Sequence, residues 1–234
     1  MTLYDHLIVI VFAGLYPAFD FFYDYPKFKT NVAKNKPRVR IREYQNGIAW
    51  IWIFSILAVL IWINNERPFE NLGLDISTYW SIWLGLILFI LGLAYILYIY
   101  YSIKNDANQR SSLRAKLKVS EVSAYVPRTK NDFRWFIILS ISAGICEELL
   151  FRGFLMWYIN EFSSIIIAVI LSSVLFGLGH SYQGLKGVLQ AGGIGLVMAV
   201  VYIFSGSLWI PIALHISVDI YSGMLGWLAF EKSG

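Results

Sequence analysis

One cysteine, three histidines and a charged fraction of 15% define what this 234-residue chain does without. A single thiol, Cys146, permits no intramolecular disulfide and no cysteine-built zinc site, and is expected to pack as a small apolar side chain. The zincin pattern His-Glu-x-x-His is absent, as are solenoid-type repeats and low-complexity tracts. With charge this scarce, 58% hydrophobic residues and a mean hydropathy of +0.60 exclude a soluble domain. The net charge of +4 does not point to nucleic acid, because the basic residues lie between apolar runs and topology accounts for them.

What the chain has is apolar runs of bilayer length, about 17 to 25 residues. They occur near 7–23, 47–63, 76–103, 133–159, 163–181, 184–206 and 207–230. The expected fold is an all-α polytopic membrane protein, a bundle of about seven transmembrane helices. The start, Met1 to His6, lacks the basic region of a signal peptide, so the first run is expected to be retained, although Pro17 and Asp20 interrupt it. Residues 1–132 read as a three-helix scaffold without an intramembrane ionisable cluster. Residues 133–234 read as the working core.

Apart from Arg67 and Arg152, all 19 lysine and arginine residues fall on one side of this topology. Seven lie between Lys27 and Arg42 and eight between Lys104 and Arg134, with Lys186 and Lys232 joining them. By the positive-inside rule, the N-terminus is expected outside and the C-terminus in the cytoplasm. The basic loops also suit anionic headgroups, with Leu113 and Leu117 marking a short amphipathic helix.

Within the fourth run stand Glu147, Glu148 and Arg152. An ionised side chain at the bilayer centre costs about 2.5 to 3.5 kcal/mol on insertion scales, so three together imply a purpose. Glu148 and Arg152 are spaced i,i+4 and share a helix face, whereas Glu147 points roughly 100° away. One carboxylate is neutralised and the other left free. His180 ends the fifth run and His215 lies four residues before Asp219 in the seventh, so a shared polar site is expected among three helices. His6, at the outer terminus, is expected to be solvated. Gly177, Gly179, Gly187, Gly192, Gly193 and Gly195 are expected to let helices approach closely.

The ordered set Glu-Glu-x-x-x-Arg at 147–152, Phe-x-x-x-His at 176–180 and His-x-x-x-Asp at 215–219 resembles the signature of the CPBP family. That family comprises the type II CAAX prenyl endopeptidases and bacterial proteases linked to bacteriocin processing and immunity, the Abi-like proteins. The resemblance covers about residues 133–230 and implies an intramembrane endopeptidase, with a bacterial cytoplasmic membrane as its setting. It implies Glu147 as general base and His180 as the residue that orients water and passes a proton to the leaving amine. Glu148 with Arg152 would buttress the site, and His215 would face the oxyanion. The prenyl endopeptidase branch typically carries asparagine where this chain has Asp219. An ionised aspartate only accepts, so Asp219 either orients His215 or stays protonated and donates. No cofactor is expected; if zinc takes part, Glu147, His180 and His215 are the expected ligands. The expected partners are membrane lipids and a peptide or protein substrate entering a membrane cavity. A non-catalytic immunity or adaptor protein and a proton-coupled transporter are the two other readings. Glu147 lies roughly 20 Å along its helix at 1.5 Å per residue, while His180 is expected near the cytoplasmic end of its own. A common site therefore requires a deep cavity or tilted helices, and the cavity is expected to open to the cytoplasm.

Overall fold

A computed structural model describes residues 1–75 and 81–230, all helix and connecting turns with no strand among them. The helices are α1 (Leu3–Ala33), α2 (Val39–Asn64), α3 (Ser81–Asn105), α4 (Ala107–Val119), α5 (residues 130–160), α6 (Ile165–Gly179), α7 (Gly184–Ser205) and α8 (Trp209–Phe230). Five of the described helical segments are long and apolar enough to cross a membrane: Leu3–Ala33, Val39–Asn64, Gly85–Asn105, Ser181–Ser205 and Trp209–Phe230. The other two expected spans correspond to α5, which carries more charge, and α6, which has only 15 residues. The expected start of the third span, residues 76–80, and Lys232 lie outside the described residues. The amphipathic α4 is the eighth helix.

The burial pattern is that of a protein in lipid. Ile90, Ile166 and Val197 are 61%, 68% and 57% exposed, whereas Glu148 and Arg152 are 0% and 1% exposed. Backbone groups are satisfied inside each helix, as a hydrocarbon surrounding demands.

The first helix departs from expectation. It runs on to Ala33 through Pro17 and Pro26, each preceded by a wide π-type turn, at Val11–Leu15 and Asp20–Asp24. Proline lacks an N–H and crowds the carbonyl four residues back, and a widened turn relieves both problems. Asp20 and Asp24 are thereby kept on a helix that packs beside α2.

Helix α5 forms the centre, packed against α2 and α8. It starts three residues earlier than the apolar run because Thr129 and Asp132 build a capping box. Asp132 N donates to Thr129 Oγ1 and Thr129 N to Asp132 Oδ2, each at 3.0 Å. A third wide turn, Leu149–Leu155, follows the paired glutamates. The Phe151 carbonyl at this turn accepts from buried Ser172 Oγ of α6 at 2.9 Å. Around it Phe12, Phe54, Trp62, Leu150, Phe154 and Phe176 form the main apolar core.

Small residues set the closest crossings. A Cβ on Gly177 would lie 2.7 Å from the Val188 carbonyl oxygen and 3.1 Å from Gly192. One on Gly195 would meet Phe176 at 3.1 Å and Arg152 at 3.2 Å. Gly179 and Gly193, expected to act likewise, face open space. Gly177→Leu is accordingly expected to wedge α6 from α7 and lower the stability by about 1 to 3 kcal/mol or more, read as an earlier thermal unfolding transition in detergent.

The end opposite the basic loops is clamped by charge. Fully buried Asp5 accepts two bonds from Arg67, 2.7 and 2.6 Å long, and the guanidinium lies 4.5 Å from the Trp157 ring centroid. His6 is not simply solvated: its Nδ1 is 2.7 Å from the Tyr158 hydroxyl, a partner 152 residues away. Asp5→Ala strands a guanidinium that is only 13% exposed. It is expected to destabilise the fold by about 3 kcal/mol, which denaturant titration in micelles would register.

Candidate active site

Glu148 is the hub of a buried network. Its Oε1 accepts from Arg152 Nη1 at 2.8 Å, one helical turn on, and from His215 Nδ1 of α8 at 2.7 Å. Arg152 reaches onward through Nη2 to the Gly195 carbonyl of α7 at 2.9 Å, and its guanidinium lies 4.4 Å from the centroid of the Phe176 ring of α6. One ion pair thus ties α5 to three neighbouring helices. Both partners are sealed from solvent, so the low local dielectric strengthens the attraction and makes loss of either partner costly.

The other ring nitrogen of His215, Nε2, faces two further carboxylates. Glu147 Oε2 is 3.8 Å away and Asp219 Oδ2 3.7 Å away. Both separations exceed hydrogen-bond length, so these are charge contacts rather than bonds. Because Glu148 takes the Nδ1 position, the side chain of His215 is committed on one edge and aimed at Glu147 and Asp219 on the other. Glu147 is 20% exposed, and its Oε2 is buried with no hydrogen-bond partner. Glu148 Oε2 and Arg152 Nε of the adjoining network likewise have no protein partner.

Glu147, His180 and Asp219 all line one cavity of about 390 Å³. Glu148, Arg152 and His215 do not line it; they stand behind. His180 caps the end of α6, and its Nδ1 lies 2.8 Å from the Phe176 carbonyl. That carbonyl can only accept, so Nδ1 carries the proton and Nε2 is the nitrogen left for chemistry. The depth problem raised by the sequence is resolved by length. Helix α6 spans only about 22 Å at 1.5 Å per residue, and His180 at its end lines the same cavity as Glu147, together with Tyr182 and Gln183 of the following turn.

Both parts of the chain build the walls. Phe12, Tyr16 and Asp20 come from α1, Glu43 and Phe54 from α2, and Leu117 with residues 122 and 125–127 from the segment after α3. The cavity therefore extends from Glu147 toward the end of the bundle that bears the basic loops.

One feature is not visible in the sequence. Asp20, Asp24 and Glu43 place carboxylate oxygens within 4.8 Å of one another, so the first two helices do carry an ionisable cluster. It is formed across two elements and only because α1 stays helical past Pro17. Among the described residues it is also the one set of three metal-type ligands so gathered. Glu147, His180 and His215 form no such set, and as arranged they do not offer zinc three donors at one point, which bonds of about 2.0 to 2.2 Å require.

This is the architecture of an integral membrane protein with a polar site buried between helices. Comparison with known proteins places it further. Residues 129–221 match the family described as type II CAAX prenyl endopeptidase Rce1-like. A protein of Bacillus subtilis (strain 168) named "Putative membrane peptidase YdiL" is 31% identical over 85 residues, which are 36% of this chain and 34% of that protein. The chain therefore spans about a third of the length of the curated relative it matches. No solved structure matches.

Proposed function

We propose that the chain is an intramembrane endopeptidase in which Glu147 activates water in the cavity between α5, α6 and α8. The observation that carries this reading is the division of the polar residues into two layers. Glu147 and His180, from different helices, line one cavity, while the Glu148, Arg152 and His215 network sits directly behind Glu147. The family match over residues 129–221 supports the reaction class.

In this account Glu147 takes a proton from water as the water oxygen bonds to the scissile carbonyl carbon. The tetrahedral intermediate collapses as the C–N bond breaks, and the proton passes from Glu147 by way of His180 to the departing amine. His180 enters with its tautomer fixed by the Phe176 carbonyl, leaving Nε2 for the transfer. His215 acts as a positioning residue, anchored by Glu148 and holding Glu147 and Asp219 on its far edge. In this reading His215 takes that role rather than the oxyanion contact which the resemblance implies, in keeping with its place behind Glu147 and Asp219. Asp219 orients His215 from 3.7 Å. These steps call on no metal, and we place the basic loops in the cytoplasm, so that substrate enters from that side.

The test is a comparison of peptide profiles from cells carrying wild type, Glu147→Ala and His180→Ala. Both variants are expected to lose the same set of cleaved peptides. Profiles unchanged in both would favour the non-catalytic adaptor reading instead.

A further inference from the structure

Helix α4 joins two bilayer-length helices, α3 and α5, and is pressed against α3 and α8. Thirteen residues long, it carries Arg110, Arg114, Lys116 and Lys118 and no acidic residue; its N-terminus is capped by Asp106, which accepts from Asn108 N at 2.8 Å and Gln109 N at 3.2 Å. Leu113 and Leu117 turn inward and are half-buried. Arg114, Lys116 and Lys118 are exposed, and Val119 beside them is 87% exposed. Positive charge flanked by a bare aliphatic side chain, at the point where two bilayer-length helices emerge, has the chemistry of a headgroup boundary.

The inner face has a different neighbour. Leu117 lines the cavity, as do Val122, Tyr125, Val126 and Pro127 just beyond the helix. The far end of this wall is fastened from both sides: Lys29 of α1 pairs with Glu121 at 2.7 Å, and Arg40 Nε of α2 donates to the Ala124 carbonyl at 2.8 Å. Tyr125 stacks on Tyr25 and donates to Glu43 Oε1 at 3.1 Å. The near end is Leu117 of α4, whose outward side carries the exposed cations Arg114, Lys116 and Lys118; Arg114 lies 5.8 Å from the Phe230 ring centroid.

We propose that α4 is a docking surface for the headgroups of anionic lipids, and that lipid held on its outer face steadies the cavity wall formed by Leu117 and residues 122–127. This goes beyond the proteolytic reading and does not depend on it. Attraction between exposed cations and a charged surface is screened by salt, so the effect is strong at low ionic strength and weak at high.

The test uses the full chain in nanodiscs of phosphatidylcholine alone and of phosphatidylcholine with phosphatidylglycerol, followed by hydrogen exchange over residues 113–127. Phosphatidylglycerol is expected to slow exchange there by about fivefold for each basic contact made, the factor that one Lys or Arg near an anionic surface supplies. High salt should remove the slowing. Arg114→Gln/Lys116→Gln/Lys118→Gln should abolish it while matching wild type in phosphatidylcholine. Lys34→Gln/Lys36→Gln, on the other basic loop, should retain it. Equal exchange in the two lipids, or slowing that survives high salt or the triple substitution, would overturn the proposal and leave the charges as topology signals. The salt series on wild type decides the matter even where the triple variant fails to fold.

Discussion

Glu147→Gln is expected to lower the rate of peptide cleavage by about 100- to 10,000-fold, the range that a positioned general base contributes. The amide has the shape of the carboxylate but cannot take up a proton from water. Folding should change little, because the side chain lines a cavity, is 20% exposed and has no hydrogen bond to lose at Oε2. The measurement is cleavage by purified protein beside its thermal unfolding curve. A variant that cleaves at the wild-type rate contradicts the assignment of Glu147, and one that unfolds markedly earlier shows that the glutamate serves the fold instead.

Arg152→Met is expected to have the opposite signature, a large loss of stability. It leaves Glu148 buried at 0% exposure with only His215 as partner and deprives the Gly195 carbonyl of its donor. Breaking a buried pair from one side costs about 3 to 5 kcal/mol, most of it the stranded charge. The double variant Glu148→Gln/Arg152→Met removes that charge and should recover much of the loss. Unfolding in mixed micelles would measure both. A cost below about 1 kcal/mol for Arg152→Met would show that the network is not a structural brace. Loss of Arg152 should also lower cleavage, since Glu148 fixes His215 and His215 faces Glu147.

The contrast between the two glutamates was legible in the sequence. The i,i+4 spacing separates Glu148, which can reach Arg152, from Glu147, which cannot, and the 2.8 Å pair between Arg152 and Glu148 follows that division. Hydropathy likewise revealed the apolar runs, because burial in lipid demands long stretches without charge. What it could not show was the polar end of α1. Asp20 reads as an interruption of the first apolar run and Asp24, Pro26 and Lys27 as lying beyond it, whereas the helix continues through wide turns ahead of the prolines. The acidic cluster with Glu43 was hidden for the same reason, since it needs two elements placed side by side. The bond from His215 to Glu148 spans 67 residues, and that from His6 to Tyr158 spans 152, so no local periodicity carries either. The glycines were half legible: residue size says where helices can meet, and only packing says which of those positions they use.

The central claim, that Glu147 drives water onto a peptide bond, is tested most directly by oxygen labelling. Purified protein is incubated in ¹⁸O water with membranes from cells lacking the chain, which supply the substrates, and released peptides are weighed by mass spectrometry. The account predicts one ¹⁸O in each new C-terminal carboxylate with wild type, and no new labelled peptide with Glu147→Gln. Labelled peptides appearing at the same rate with the glutamine variant would contradict it.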